Sequence, residues 1–176
     1  MSKGQNQQLI NMGEKQTGEP DRGSWRTPPN IIKMVKSLYS QDCFDPFPPN
    51  FKKDAFSYNW FEKSSYVYVN PPFSMYRKVA LYALDLPRTE HDNCIFICNH
   101  NHNTKWWHKL YQNASAICML HDRVHFINPV TNIPAEHGAP GTCQDLIYWG
   151  CYQDEFIEIF NQIGHCVDLG WQALKE

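Results

Sequence analysis

Ser65-Tyr66-Val67-Tyr68-Val69-Asn70-Pro71-Pro72-Phe73 is the stretch on which the fold and chemistry of this chain turn. The first five residues alternate and are rich in aromatic and β-branched side chains, which predicts a strand. The prolines end it sharply, because proline lacks an N–H and restricts the residue before it. An amide side chain, two rigid residues and an aromatic ring are thereby set at a strand exit, an arrangement suited to holding an exocyclic amino group. The Asn70 oxygen and a proline-fixed carbonyl can accept the two amino hydrogens, favouring a tetrahedral nitrogen whose lone pair is open to an electrophile. Phe73 would stack on the ring, and a base so held must be flipped out of a duplex or already single-stranded. Asn-Pro-Pro also serves as an ordinary turn after a strand, so the surrounding elements must decide.

Working outward, Pro29 to Tyr39 spaces Ile31, Ile32, Val35, Leu38 and Tyr39 as an amphipathic helix with proline in its first turn. Cys43-Phe44 reads as a short strand stopped by Asp45-Pro46-Phe47-Pro48-Pro49. Ser74 is placed to cap a helix reaching about Leu86, and Thr104 one carrying Trp106, Trp107 and Leu110. Cys94 to Cys98 is a continuous apolar run, the pattern of a strand covered on both faces. Further strands are expected at Ala116 to Leu120, Val124 to Ile127 and Leu146 to Cys151, with a helix near Asp154 to Ile163. The alternation predicts an α/β fold with a mainly parallel central sheet and helices on both faces. Ligands of such sheets sit beyond the carboxyl ends of strands, where Asp45-Pro46, Asn70 to Phe73 and Asn99-His100 all fall.

At 176 residues the chain suits one domain, expected over residues 25–176 behind a polar, disordered arm of residues 1–24. A net charge of −2 excludes a strong non-specific polyanion binder, so any nucleic-acid contact should be local or weak. No apolar run suits a leader or a bilayer span, which predicts a soluble, intracellular protein without membrane contact. The seven scattered cysteines read as reduced core residues. Cys94 and Cys98 would share a strand face roughly 13 Å apart, too far for one ion, and His100, His102 and His108 lack a second ligand pair, so no metal is expected. Lys105 and Trp106 could offer a phosphate or stacking surface, though a double Trp usually packs one ring inward. Arg123 could meet a DNA phosphate or serve as a surface ion-pair partner. The connection from Asn128 to Thr142 is a candidate for closing over a flipped base, or a mobile link.

The chain resembles the small phage-type N6-adenine DNA methyltransferases over roughly Trp25 to Trp149. The resemblance rests on Trp25-Arg26-Thr27-Pro28, Phe44-Asp45-Pro46, Asp54-Ala55-Phe56 followed by Trp60, Asn70-Pro71-Pro72-Phe73 and Asp122-Arg123-Val124-His125-Phe126 in that order. It implies a Rossmann-like fold, S-adenosylmethionine as cofactor and DNA as partner, in a host cell that is virus-infected where the enzyme is viral. Asn70, Pro71, Pro72 and Phe73 become the catalytic set. Trp25, Thr27, Pro28, Asp45 and Pro46 fall near the methionine end of the cofactor, Asp54 near its adenosine amino group and Phe56 against its ring. Where the family has small residues after the acid, this chain has bulky Pro46-Phe47-Pro48, a departure that favours a catalytically silent nucleic-acid-binding module. Cytosine N4, RNA or a glutamine side chain are alternative acceptors for the same tetrapeptide.

Overall fold

The computed structural model describes residues 25–48, 54–135 and 142–170, so the expected arm of residues 1–24 lies outside the described residues. Helix α1 (Pro29–Tyr39) forms where its spacing predicts, burying Ile31, Val35, Leu38 and Tyr39, with Pro29 in its first turn and Ser40 closing it in the left-handed region at φ 53°. Strand β1 (Tyr66–Val69) follows, then a 3-10 turn over Phe73–Met75 and helix α2 (Tyr76–Asp85). The chain continues through β2 (Asn93–Asn99), α3 (Lys105–Asn113), β3 (Ala116–Leu120), β4 (Gln144–Trp149), α4 (Gln153–Phe160) and β5 (Gly164–Asp168).

The sheet order is β1-β2-β4-β3-β5, and this corrects the expected mainly parallel sheet. Only β1 and β2 pair in parallel; β2 with β4, β4 with β3 and β3 with β5 are antiparallel. The physical reason is β4, which returns after a long connection and inserts between β2 and β3 against both. A hydrophobic period of two marks a strand but not its neighbour. The pairings nonetheless leave β1, β2 and β3 running the same way, so their carboxyl ends share one edge. Phe44 adds to that set beside β1 through Phe44 N–H to Tyr66 O at 2.8 Å and Tyr68 N–H to Phe44 O at 2.9 Å.

Helices cover both faces, as expected. Val67, Val69, Cys94, Phe96 and Cys98 pack with α2 and α3, while Tyr68, Ile95, Ile97, Leu146 and Tyr148 pack with α1 and α4. Strand β2 is therefore buried on both sides, the cause of its unbroken apolar run. Val69 lies opposite Phe96, so β2 outruns β1 by the residues Ile97, Cys98 and Asn99. At a strand's usual rise that overhang is roughly 10 Å.

Other expectations needed adjustment. Val124 to Ile127 forms no strand: Ile127 makes isolated bridges to Arg26 and Pro134, and Val124 N–H is taken by Gln144 Oε1 at 2.9 Å. Strand β5 was not foreseen, because its residues are half exposed and carry little apolar signal. Ser74 lies inside the 3-10 turn rather than capping α2; Thr104 does take the N-cap position of α3, but its hydroxyl donates to Asn101 O at 2.8 Å and makes no capping bond. Cys94, Cys98 and Cys118 are buried and free, but Cys143 and Cys151 are exposed, against the expectation of core cysteines throughout.

Candidate active site

The Asn70 corner is held from the amino-terminal side. Asn70 Nδ2 donates to the Trp25 carbonyl at 3.1 Å, and this bond sets the orientation of the amide. With its donor so used, Oδ1 remains as the acceptor the chemistry requires. The Pro72 carbonyl accepts from Met75 N–H at 2.8 Å to close the 3-10 turn, whereas no backbone donor among the described residues meets the Pro71 carbonyl. Pro71 is buried and Pro72 half-buried, so the second acceptor sits on a segment with little freedom. Phe73 is wedged between the two core clusters, its ring 5.7 Å from Tyr76 and 5.5 Å from Phe126, both at steep angles. The Tyr76 hydroxyl beside it is buried and lacks a hydrogen-bond partner.

Two residues before Asn70, the hydroxyl of Tyr68 lies 2.9 Å from Thr27 Oγ1, either one donating. Burial pushes the Tyr68 hydroxyl far up, against the pull of the Thr27 bond, and it stays protonated. Between Trp25 and Thr27, Arg26 pairs with Ile127 through bonds of 3.0 and 2.9 Å and donates to the Pro129 carbonyl at 2.9 Å and Asn132 Oδ1 at 2.6 Å. The segment Trp25 to Pro28 thus ties three things together: the Asn70 amide, the β1 tyrosine and the start of the connection beyond Phe126.

Asp45 adjoins the same group, since its charge acts on Tyr68 and Tyr58. Though part of its surface is open, protein crowds the carboxyl closely enough that burial pushes it up to about 7, against one hydrogen bond accepted from Phe47 N–H at 2.8 Å. A carboxyl strained this way gains from an ammonium partner. Phe47 turns into the core, 7% exposed, edge-on to Trp60 at 5.9 Å and to Phe56 at 6.0 Å. Trp60 donates to the Ala55 carbonyl at 2.8 Å, which anchors the exposed Asp54 turn, itself closed by Asp54 Oδ1 to Phe56 N–H at 3.0 Å. Phe56 meets Tyr82 edge-on at 5.1 Å and carries the Lys78 ammonium over its ring at 3.7 Å. One face expected to receive a ligand ring is therefore shared with Lys78.

The structure links Trp25 to Asn70, Thr27 to Tyr68 on the strand before it, and Asp45 by its charge to Tyr68, and it joins Asp54 and Phe56 to Phe47 as a second group; Pro46 is buried between Asp45 and Phe47 in the chain. Pro28 is the residue before α1 and lines a cleft of about 460 Å³ with His121, Arg123 and His125. Arg123 is exposed there rather than in an ion pair among the described residues. Lys105 is exposed at the start of α3, and the half-buried Trp106 ring lies 6.3 Å from Tyr76. Arg26, Tyr68 and Lys78 escaped sequence reasoning. For Tyr68 a signal existed: a tyrosine two residues before Asn70 on the same strand must place its hydroxyl somewhere near that exit. No group of histidines, cysteines or acids among the described residues is placed to hold a metal ion.

A strand-exit amide with its acceptor spare, a rigid neighbouring carbonyl and a crowded carboxyl thus lie near one another at the carboxyl end of β1. A family model described as DNA N-6-adenine-methyltransferase (Dam) matches residues 14–163, and the chain belongs to that family. Membership carries adenine-N6 methylation of DNA as its activity in kind, with S-adenosylmethionine the methyl donor this implies. Searches of curated proteins and of solved structures return no match. Among the described residues, no helix is long and apolar enough to cross a membrane.

Proposed function

We propose that the protein methylates N6 of an extruded adenine at particular DNA sites by direct in-line attack, with no covalent enzyme intermediate and no metal, from a single Rossmann-like domain beginning near Trp25. The observation that carries this is the Asn70 amide, whose Nδ2 is spent on the Trp25 carbonyl so that Oδ1 is left to accept. Asn70 Oδ1 and the Pro71 carbonyl would take the two amino hydrogens and stabilise the positive charge growing on nitrogen. Pro72 keeps the segment rigid, and Phe73, braced by Tyr76 and Phe126, would bear the base.

S-adenosylmethionine, when bound, supplies an electrophilic methyl group on a sulfonium. The chain's residues suit such a ligand: Asp45 has an under-satisfied carboxyl for an ammonium, Thr27 bonds Tyr68 and the Trp25 carbonyl holds Asn70 at the same strand exit, and Pro28 and Pro46, each next in sequence to one of these residues, would complete the methionine end. Asp54 and Phe56, at a turn held by Trp60 and Phe47, would meet the adenosine end. The burial of Phe47 in the core supports an enzyme over a silent binding module. Arg123, Lys105 and Trp106 would contact the nucleic acid, and the Arg26-tethered turn after Phe126, with Val130 69% and Ile133 59% exposed, would approach the opened base step.

Incubation with tritiated S-adenosylmethionine and unmethylated DNA, followed by nucleoside separation, tests this. Label is expected in N6-methyldeoxyadenosine. Label in N4-methyldeoxycytidine, or in RNA or protein but not DNA, would overturn the adenine assignment, and no transfer at all would overturn the enzyme.

A further inference from the structure

Between Asn93 and His121 the chain has no aspartate or glutamate, yet it carries Lys105, Lys109 and His100, His102, His108 and His121, in a protein of net charge −2. Lys105, His108 and Lys109 stand at i, i+3 and i+4 on α3, so they form one stripe, and all are exposed. Trp107 and Leu110 bury the opposite side. The stripe is not a loose run of surface charge, because a buried acid fixes it. Asp145, at the start of β4 and 1% exposed, accepts from His100 Nδ1 at 2.8 and 3.0 Å and from Trp107 Nε1 at 3.0 Å. A buried carboxylate is tolerated only where donors satisfy it, and both donors here come from the His100 loop and α3. Asp145 therefore locks the loop to the helix.

With Nδ1 committed to that carboxylate, Nε2 is the remaining polar atom of His100, on a side chain 34% exposed. His102 lies alongside, ring to ring at 5.2 Å. The surface adjoins the Asn70 corner: Trp106 is 6.3 Å from Tyr76, which is 5.7 Å from Phe73. The overhang of β2 raises His100 above the level of Asn70 on the same sheet edge.

We propose that His100, pinned by Asp145, and the Lys105, His108 and Lys109 stripe of α3 form the docking surface for the phosphate backbone of DNA beside the target base, gripping it more tightly as pH falls. The choice of nucleic acid as partner rests on the DNA-methylation function proposed above. Imidazoles change charge between about pH 5 and 8, and a charged His100 would offer Nε2–H to a phosphate. Facing His100 are Asp145 on β4, His102 on its own loop and the Trp107 ring on α3 at 5.6 Å; burial pushes the Asp145 carboxyl up against the pull of His100, and the Cys98 thiol near Asp145 is pushed up by burial and stays neutral. His108 lies beyond the Trp107 ring at 5.7 Å, and Cys143 meets His100 through its backbone carbonyl at 2.9 Å.

The test is fluorescence anisotropy of a short labelled DNA duplex with the full chain, cofactor-free, over about pH 5.5 to 8 and about 50 to 200 mM salt. Each phosphate contact accounts for a salt slope of about 0.9, or about 3.5-fold in affinity across that range. The Lys105→Ala, Lys109→Ala double variant is expected to lose about 12-fold of the salt effect, two such contacts. His100→Asn, whose amide N–H takes the Nδ1 place toward Asp145 while removing Nε2, is expected to weaken the tightening at low pH while changing affinity near pH 8 less than about twofold. Unchanged salt slope and pH profile in both variants, or no duplex binding by the wild type, overturns the proposal. Tritium transfer in the same preparations separates the two ideas. Methylation with variant-insensitive binding refutes the docking surface alone; variant-sensitive binding without methylation refutes the methyltransferase function alone.

Discussion

Replacing Asn70 by alanine removes both halves of the amide, and the structure separates their consequences. The Nδ2 bond to the Trp25 carbonyl is a single half-buried hydrogen bond, so its loss should cost the fold about 1 kcal/mol. For a chain of this size that lowers Tm by roughly 2–4 °C. The Oδ1 acceptor instead acts on charge that develops only as the new bond forms, and removing one such preorganised group typically lowers kcat about 100- to 1,000-fold, or roughly 3–4 kcal/mol of barrier. Cofactor binding should persist, because Asp45, Thr27 and the Asp54 turn make no hydrogen bond to Asn70. Single-turnover tritium transfer with enzyme, cofactor and DNA in excess of their dissociation constants reads the chemical step, while thermal unfolding and calorimetry read the fold and cofactor affinity. A variant that folds, binds cofactor and transfers methyl within about threefold of the wild-type rate would refute the role given to Oδ1.

Asp45 gives a pH prediction whose sign follows from burial. Its folded value of about 7 lies above the ordinary carboxyl value of 3.8, so the ionised carboxyl opposes folding fully above about 7 and the penalty disappears as pH falls toward 3.8. Asp45→Asn should therefore raise Tm at pH 8 relative to wild type and lose that advantage near pH 4, while weakening cofactor binding most at the higher pH; equal Tm differences at both would contradict the assignment. Trp60→Phe removes the indole bond to the Ala55 carbonyl and should raise the KM for S-adenosylmethionine several-fold with a stability loss of about 1 kcal/mol, checked by steady-state kinetics and denaturant titration. Phe156→Ala, whose ring packs on Tyr148 and Phe160 and makes no ring contact with Phe73 or Phe126, should cost about 3–5 kcal/mol of stability in urea unfolding yet leave kcat of the remaining folded enzyme unchanged.

Much of the site could be read from the chain because its parts are local. Asn70-Pro71-Pro72-Phe73 sets its own geometry through proline and follows a strand whose alternation is plain. The helix over Pro29–Tyr39 and the strand over Ala116–Leu120 carry full apolar periods and formed at the expected residues. Val124 to Ile127 failed for the opposite reason: β-prone residues with no ladder partner, because β4 spends its edges on β2 and β3. The bulk of Phe47 looked hostile to a ligand, since sequence does not say to which side a ring turns.

The amino-acid sequence by itself determined the rigid corner, the amphipathic helices and the doubly covered β2, because each depends on spacing within a few residues. Only the tertiary structure decided strand direction, the Trp25 carbonyl that orients the Asn70 amide, and the Asp145 carboxylate that locks His100 to α3. Those pairs stand 45 residues apart in each case, and which distant partner a polar group meets is fixed by how the layers close over the sheet, not by any local pattern.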